Sequence, residues 1–447
     1  MSEKSKKQKV SIVEKMGLFM VCAGNIPLMG LLSGFFMIYY TNVVGLEPAA
    51  LATLFLISKV VDGISDPIMG YFLDKFPVTK MGKFRPMIIL GTIICVINYI
   101  LLWFGAVWIP VGKYVIVYVT YLLLGWTFDI MDISKNSLLP VMSADDKERN
   151  SLSLFNALGT MIGSAVLAVA APILVAEGTL QNYYVLIFGS MAMVLVLSIA
   201  GALCVKERVA FEGKKEESYT FRELLQFLRY KPVWALFLVA LVVGVGSNIA
   251  GGAGAYFYTY ILGDMTLMSG VSLVSMITAL VGIFLGPILA NRFGKKQIFV
   301  MAIVVSILFS ALRLIDVRSM LLIYISTVAG GVAGAPLTTS IQADNTTYVQ
   351  YKTGKRAEAA IASLTSFITK VAQGLGGAIP GYVLAATGFV TGSVAQPESI
   401  NTGIILCVLI LPTILTAAGA ILFGTQYTLD KKAVEEMHTA IAARSNK

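Results

Sequence analysis

The sequence predicts an all-α polytopic membrane protein, twelve transmembrane helices arranged as two six-helix bundles, and three observations carry that expectation. Hydrophobic residues make up 57% of the chain and charged residues 13%, against about one quarter charged in an average soluble domain. Apolar stretches long enough to cross a bilayer, roughly 20 residues each, recur along the whole length between short polar or Gly/Pro-containing breaks. The longest internal polar segment, 205–231, divides those stretches six and six. With a mean hydropathy of +0.80, the chain has more apolar surface than a soluble core hides.

The spans run 17–40, 51–73, 87–108, 114–142, 151–175, 184–204, 232–262, 271–291, 297–315, 321–343, 359–384 and 404–423. They organise the chain as an N-terminal segment 1–16, a bundle 17–204, a central loop 205–231, a second bundle 232–423 and a tail 424–447. The first span follows a basic, Ser-containing stretch without a small-residue cleavage site, so it reads as a retained helix and not a removable signal peptide. The second carries Lys59, Asp62 and Asp66, and the fourth Asp129, Asp132, Lys135 and Asn136. In the central loop, mixed charges with Phe221, Leu224, Leu225 and Leu228 suggest an amphipathic helix on the inner membrane surface. Tyr256, Tyr258 and Tyr260 in the seventh span are placed as interface tyrosines commonly are, with stacking on a sugar ring the less favoured reading. The eleventh carries Lys370 and Gln373 beside Gly374 to Gly377, a stretch that permits close helix packing.

Orientation follows from the basic residues, which accumulate in cytoplasmic loops. With the N-terminus inside, 28 of the 34 Lys and Arg fall in cytoplasmic segments, which makes both termini cytoplasmic and the cell membrane the expected location. The net charge of +9 is thereby explained by topology, and nucleic acid is not expected as a partner. Cys22, Cys95, Cys204 and Cys407 lie in or at the ends of apolar helices without CxxC spacing, so neither a disulfide framework nor a metal site is indicated. The only histidine, His438, lies in the tail, which rules out an intramembrane histidine relay.

The residues that carry chemistry are the charges inside helices. Each costs roughly 2.5–3.5 kcal/mol at a helix centre, so such groups face a cavity or a partner. Lys59, Asp62 and Asp66 are spaced to stack along one face, as are Asp129 and Asp132, with Lys135 and Asn136 one turn on. Four aspartates against three lysines leave about one negative charge for a bound Na+ or a proton to balance. The other reading is that these are helix-to-helix ion pairs holding the bundle. An intramembrane aspartyl protease would need Gly-x-Gly-Asp, which is absent.

The halves also rhyme. Gly70-Tyr-Phe-Leu-Asp74-Lys75 with Lys83 and Arg85 follows the second span, and Gly286-Pro-Ile-Leu-Ala-Asn-Arg292-Phe-Gly294-Lys295-Lys296 the eighth. This pair resembles the loop signature of the major facilitator superfamily. Asp62-Gly-Ile-Ser-Asp66-Pro-Ile-Met-Gly70, running to Met81-Gly-Lys-Phe-Arg-Pro86, resembles the second-helix and loop motif of the glycoside-pentoside-hexuronide:cation symporters. So do Ala343-Asp344, Tyr348, Tyr351-Lys-Thr-Gly-Lys-Arg-Ala-Glu358, Lys370, and Tyr39-Tyr40-Thr41-Asn42-Val-Val-Gly45, with the similarity running from about 15 to 435.

The resemblance implies a secondary transporter, not an enzyme, that moves a small sugar with Na+ or H+ by alternating access, with no other cofactor. It implies a cation site at Asp62, Ser65 and Asp66, with Asp129 where melibiose-type members carry a hydroxyl. Asp132 and Lys370 stand where the family has sugar-binding groups, and Asn136, Asn25, Asn156 and Trp126 are further substrate candidates. Ile26 and Ala157 replace charged residues of galactoside carriers, and Asn136 and Ala335 replace aromatic platforms, so a melibiose-like substrate is not implied. Asp74, Lys83, Arg85, Asp344 and Arg356 are the expected loop and gate residues, with Lys352 beside them. Oligomeric state is left open, and so are two other functions on the same scaffold, a lipid or other non-sugar cargo and a non-translocating sensor.

Overall fold

The structure, a computed structural model, describes residues 9–208, 227, 229–333, 335–353, 358–393, 395–430, 433–437 and 439; within these, the side chains of Asp66, Pro67, Asp74, Asp146, Asn291 and residues 332–333, 335–339, 358–360 and 363 lie outside the description. The predicted amphipathic helix at 221–228 falls outside it apart from Phe227, as do Arg356 and His438.

Helix ends follow local chemistry. α1 (Ile12–Tyr39) starts at Ser11, whose hydroxyl accepts from the Glu14 N–H while the Glu14 carboxylate accepts from the Ser11 N–H, a reciprocal cap. The helix therefore begins before residue 17, where hydropathy alone placed the span. α1 closes through a π-helical turn, Tyr40–Val44, and stops at Gly45, whose φ of 79° a side chain would resist. α2 (Pro48–Lys75) opens with proline at its first position, where the missing N–H costs nothing. α3 (Phe84–Trp108) has its first N–H groups satisfied by a distant side chain. The Glu207 carboxylate accepts from Lys83 N at 2.8 Å and from Phe84 N and Arg85 N at 2.9 Å.

α4 (Lys113–Asn136) ends at Ser137, and a short α5 (Leu138–Met142) follows, so the predicted span 114–142 is interrupted. α6 (Asp146–Leu174) and α7 (Leu180–Cys204) complete the first half. The second half holds α8 (Lys231–Tyr256), α9 (Leu267–Phe293), α10 (Lys295–Leu312), α11 (Met320–Ala333), α12 (Ala335–Thr353), α13 (Glu358–Ala386), α14 (Ser399–Ile405) and α15 (Leu411–Gln426). π-helical turns extend α8 and join α14 to α15. The predicted tenth span, 321–343, appears as α11 and α12, carrying helix on to Thr353. Ten helical runs among the described residues are long and apolar enough to cross a membrane, and Met320–Gly331 is a shorter apolar helix.

The chain divides into two compact units. The first holds residues 1–47, 57–214 and 391–394, and the second residues 48–56, 215–390 and 395–447. Each repeats one packing scheme. In the first, α1 packs on α6 and α7, and α3 on α4 and α7; in the second, α8 packs on α13 and α15, and α10 on α11 and α15. Small residues make the close approaches possible, as expected where lipid removes any hydrophobic drive between helices. A Cβ on Gly159 of α6 would stand 2.4 Å from the Phe19 carbonyl oxygen of α1. On Gly376 of α13 it would stand 2.6 Å from the Val245 carbonyl oxygen of α8, so the glycines noted in the sequence serve helix packing. The apolar side chains Leu90, Ile93, Ile97 and Leu101 form an exposed stripe along α3, the arrangement a helix adopts when its surroundings are hydrocarbon.

Candidate functional site

The charged residues of α2 and α4 meet within the first unit. On α2, Lys59 Nζ stands 2.8 Å from Asp62 Oδ2, an ion pair three residues apart on one face. Ser65, the next residue on that face, is fully buried. Its hydroxyl lies 3.3 Å from the Asp62 carbonyl oxygen and 3.3 Å from Asp129 Oδ2 of α4. One hydroxyl hydrogen serves one acceptor at a time, so Ser65 links α2 to α4 when it donates to Asp129 and turns back onto its own helix when it donates to the Asp62 carbonyl. The Asp66 side chain lies outside the described residues.

Two features of α4 shape this junction, and the sequence reading passed over both. Gly125 provides a notch for Asp62, since a Cβ there would lie 2.6 Å from Asp62 Oδ1. Tyr121, one turn earlier, hydrogen-bonds Ser58 and lies within electrostatic range of Asp62. Glycine and tyrosine are common in apolar helices, and neither announces itself by charge. The only available signal was their spacing of four and eight residues before Asp129.

A second ion pair follows on α4. Lys135 Nζ lies 2.7 Å from Asp132 Oδ1, and Asn136 Nδ2 donates to Asp132 Oδ2 at 2.9 Å. Asp129 sits among Asp62, Asp132 and Lys59, yet among the described residues no lysine or arginine pairs with it. Asp62 and Asp132 each have a lysine, so the described groups leave Asp129 as the uncompensated charge of the cluster. The sequence arithmetic, which counts Asp66 and Lys370 as well, expected one such charge over that larger set.

The other predicted residues are more scattered. Asn25 of α1 is 1% exposed, with its amide nitrogen unpartnered among the described residues. Asn156 of α6 and Trp126 of α4 are half-buried, and Lys370, half-buried on α13, belongs to the second unit. Arg85 is held inside the first unit. Its guanidinium donates to the Ala202 and Leu203 carbonyls at 2.8 and 2.9 Å, at the C-terminal end of α7, and to Met81 O at 3.1 Å. Lys83 lies over the Phe84 ring. Asp344 of α12, nearly buried, takes Lys295 Nζ on both oxygens at 2.7 and 2.9 Å. The side chain of Asp74 and the whole of Arg356 lie outside the described residues. Tyr256 and Tyr258 are buried, packed among rings including Phe389 and Phe257.

A family model described as MFS/sugar transport protein matches residues 20–431. The chain belongs to the MFS sugar-transport family. It is 28% identical to the uncharacterized symporter YnaJ of Bacillus subtilis (strain 168), over 96% of this chain and 94% of the relative. It is likewise 28% identical to the putative glycoside/cation symporter YagG of Escherichia coli (strain K12), over 89% and 87%. A solved structure of the nucleoside transporter NupG covers 93% of this chain and all of its own, with a TM-score of 0.69 at 14% identity, a likeness of fold. The chain is a multi-pass membrane transporter, not an enzyme.

Proposed function

We propose that the chain is a secondary active transporter of the cell membrane that carries a sugar, a glycoside, pentoside or hexuronide, together with Na+ or H+ by alternating access. The observation that carries the reading is the convergence of Asp62, Ser65 and Asp129 between α2 and α4, with no lysine or arginine paired to Asp129 among the described residues. Carboxylate and hydroxyl oxygens suit a hard monovalent cation, and an uncompensated carboxylate in an apolar helix suits a proton. Asp62, Ser65, Asp66 and Asp129 are the coupling-ion residues. Asp132 and Asn136, with Lys370, Asn25, Asn156 and Trp126, are the sugar residues, and the coupling ion is the only companion required.

Family membership supports a sugar as cargo, and similarity to the putative glycoside/cation symporter YagG supports cation coupling. The distribution of Lys and Arg supports cytoplasmic N- and C-termini. Coupling requires that ion binding stabilise the outward-facing, sugar-competent state more than the others. A cation at Asp129 balances the uncompensated carboxylate, and in this reading that balance favours the sugar-competent arrangement of α2 and α4.

The test is uptake by purified protein in liposomes. Methyl β-galactoside, methyl β-xyloside and methyl β-glucuronide are offered under separate inward Na+ and H+ gradients, with Asp62→Asn and Asp66→Asn as controls. Accumulation that one gradient drives and both substitutions remove is the expected result. Well-folded protein that accumulates none of the three sugars under either gradient refutes the reading.

A further inference from the structure

Both carboxylate oxygens of Asp132 are engaged by its own helix, Oδ1 by Lys135 Nζ and Oδ2 by Asn136 Nδ2. The two members of the ion pair are presented unequally. The Asp132 side chain is 31% exposed and that of Lys135 10%. The carboxylate is therefore the more accessible member of the pair, and the ammonium the more enclosed. On α2 the order is reversed, with Lys59 26% exposed and Asp62 18%.

We propose that Lys135 is a positioning residue for substrate binding, acting through Asp132 and not by touching the sugar. This rests on the reading of Asp132 as a sugar-binding acid. Each carboxylate oxygen has about two acceptor positions. Lys135 and Asn136 take one on each oxygen, which leaves one on each for neighbouring hydroxyls of a sugar. Held at both oxygens, the carboxylate loses little rotamer freedom when substrate arrives. With its charge balanced by Lys135, it also accepts hydroxyls without repelling an anionic sugar, so the pair admits a hexuronide as readily as a neutral glycoside. Neither property follows from the aspartate alone.

The experiment measures uptake of the three methyl glycosides in proteoliposomes by wild type, Lys135→Gln, Lys135→Arg, Asp132→Asn and the Asp132→Asn/Lys135→Gln double variant, each checked for monodispersity and melting temperature. Losing one charge-assisted hydrogen bond predicts a KM at least ~10-fold higher for Lys135→Gln, with maximal velocity within about twofold of wild type. The rise is larger for methyl β-glucuronide than for the neutral sugars. Lys135→Arg recovers most of the loss, and the double variant is no worse than Asp132→Asn because both act on one contact. A wild-type KM in Lys135→Gln overturns the proposal, and so does a penalty that adds to that of Asp132→Asn or a fall in velocity and melting temperature at unchanged KM. If the wild type transports none of the sugars, the reading of Asp132 fails first and the proposal falls with it; if the wild type transports and Lys135→Gln matches it, the proposal alone fails.

Discussion

Replacing Gly125 by alanine separates the geometry of the ion site from the stability of the bundle. The new methyl carbon would lie 2.6 Å from Asp62 Oδ1, whereas ordinary contact begins at 3.4 Å, so the oxygen must retreat by about 0.8 Å. That oxygen is the far end of a rotatable side chain, and the carboxylate yields before the helices do. The strain is about 0.5–1.5 kcal/mol, the cost of an off-rotamer side chain. The consequence for binding is larger, because binding constellations need their groups within about 0.5 Å of the productive arrangement. Asp62 is also held by Lys59 at 2.8 Å on its other oxygen, so rotation disturbs that pair as well.

The expected result for Gly125→Ala is a melting temperature close to wild type. The cation concentration for half-maximal uptake rises ~10- to 100-fold, equivalent to about 1.4–2.8 kcal/mol. Uptake in proteoliposomes at graded Na+ and graded pH reads the second quantity, and thermal unfolding in detergent reads the first. A variant that folds normally and keeps wild-type cation dependence would show that Asp62 does not sit at the coupling site.

Gly159→Ala places the same methyl group against backbone, 2.4 Å from the Phe19 carbonyl oxygen. Here α1 and α6 must separate, and the expected signature is a loss of about 1–3 kcal/mol in stability, seen as lower yield and melting temperature, with normal cation dependence in whatever folds. Glu207→Ala removes the acceptor for three N–H groups at the start of α3 and should cost about 1–2 kcal/mol, part of which Glu207→Gln retains; an unchanged melting temperature would contradict the capping role. Lys295→Met leaves the 6% exposed Asp344 without its cation at a cost of about 3–5 kcal/mol, which Asp344→Asn in the same background should largely reverse in the same thermal assay. Asp66→Cys should abolish concentrative uptake, and a variant that still accumulated sugar against its gradient would remove Asp66 from the coupling assignment.

The membrane class was legible because a bilayer imposes a one-dimensional rule. Backbone polar groups in hydrocarbon must be satisfied within a segment, which makes each crossing a long apolar run visible without any knowledge of neighbours. Asp62, Asp129 and Asp132 stood out for the same reason, since ionised groups in such runs are costly and rare. Helix starts were less legible. Hydropathy placed the first span at residue 17, whereas the Ser11 and Glu14 cap starts the helix at Ile12. The polar residues that form a cap are the ones a hydropathy window discards.

The sequence by itself determined that this chain lies in a membrane as two sets of helices, and which residues carry charge inside them. Lys59–Asp62 and Lys135–Asp132 lie within single helices, where spacing alone allows them, and only tertiary structure decided that Ser65 of α2 meets Asp129 of α4. Spacing puts residues on a common helix face but does not say which face of the next helix meets it. Gly125 takes part in that fit, since its missing side chain makes room for the Asp62 carboxylate. The absence of an atom has no hydropathy or charge of its own, and it acquires meaning only when another helix occupies the space.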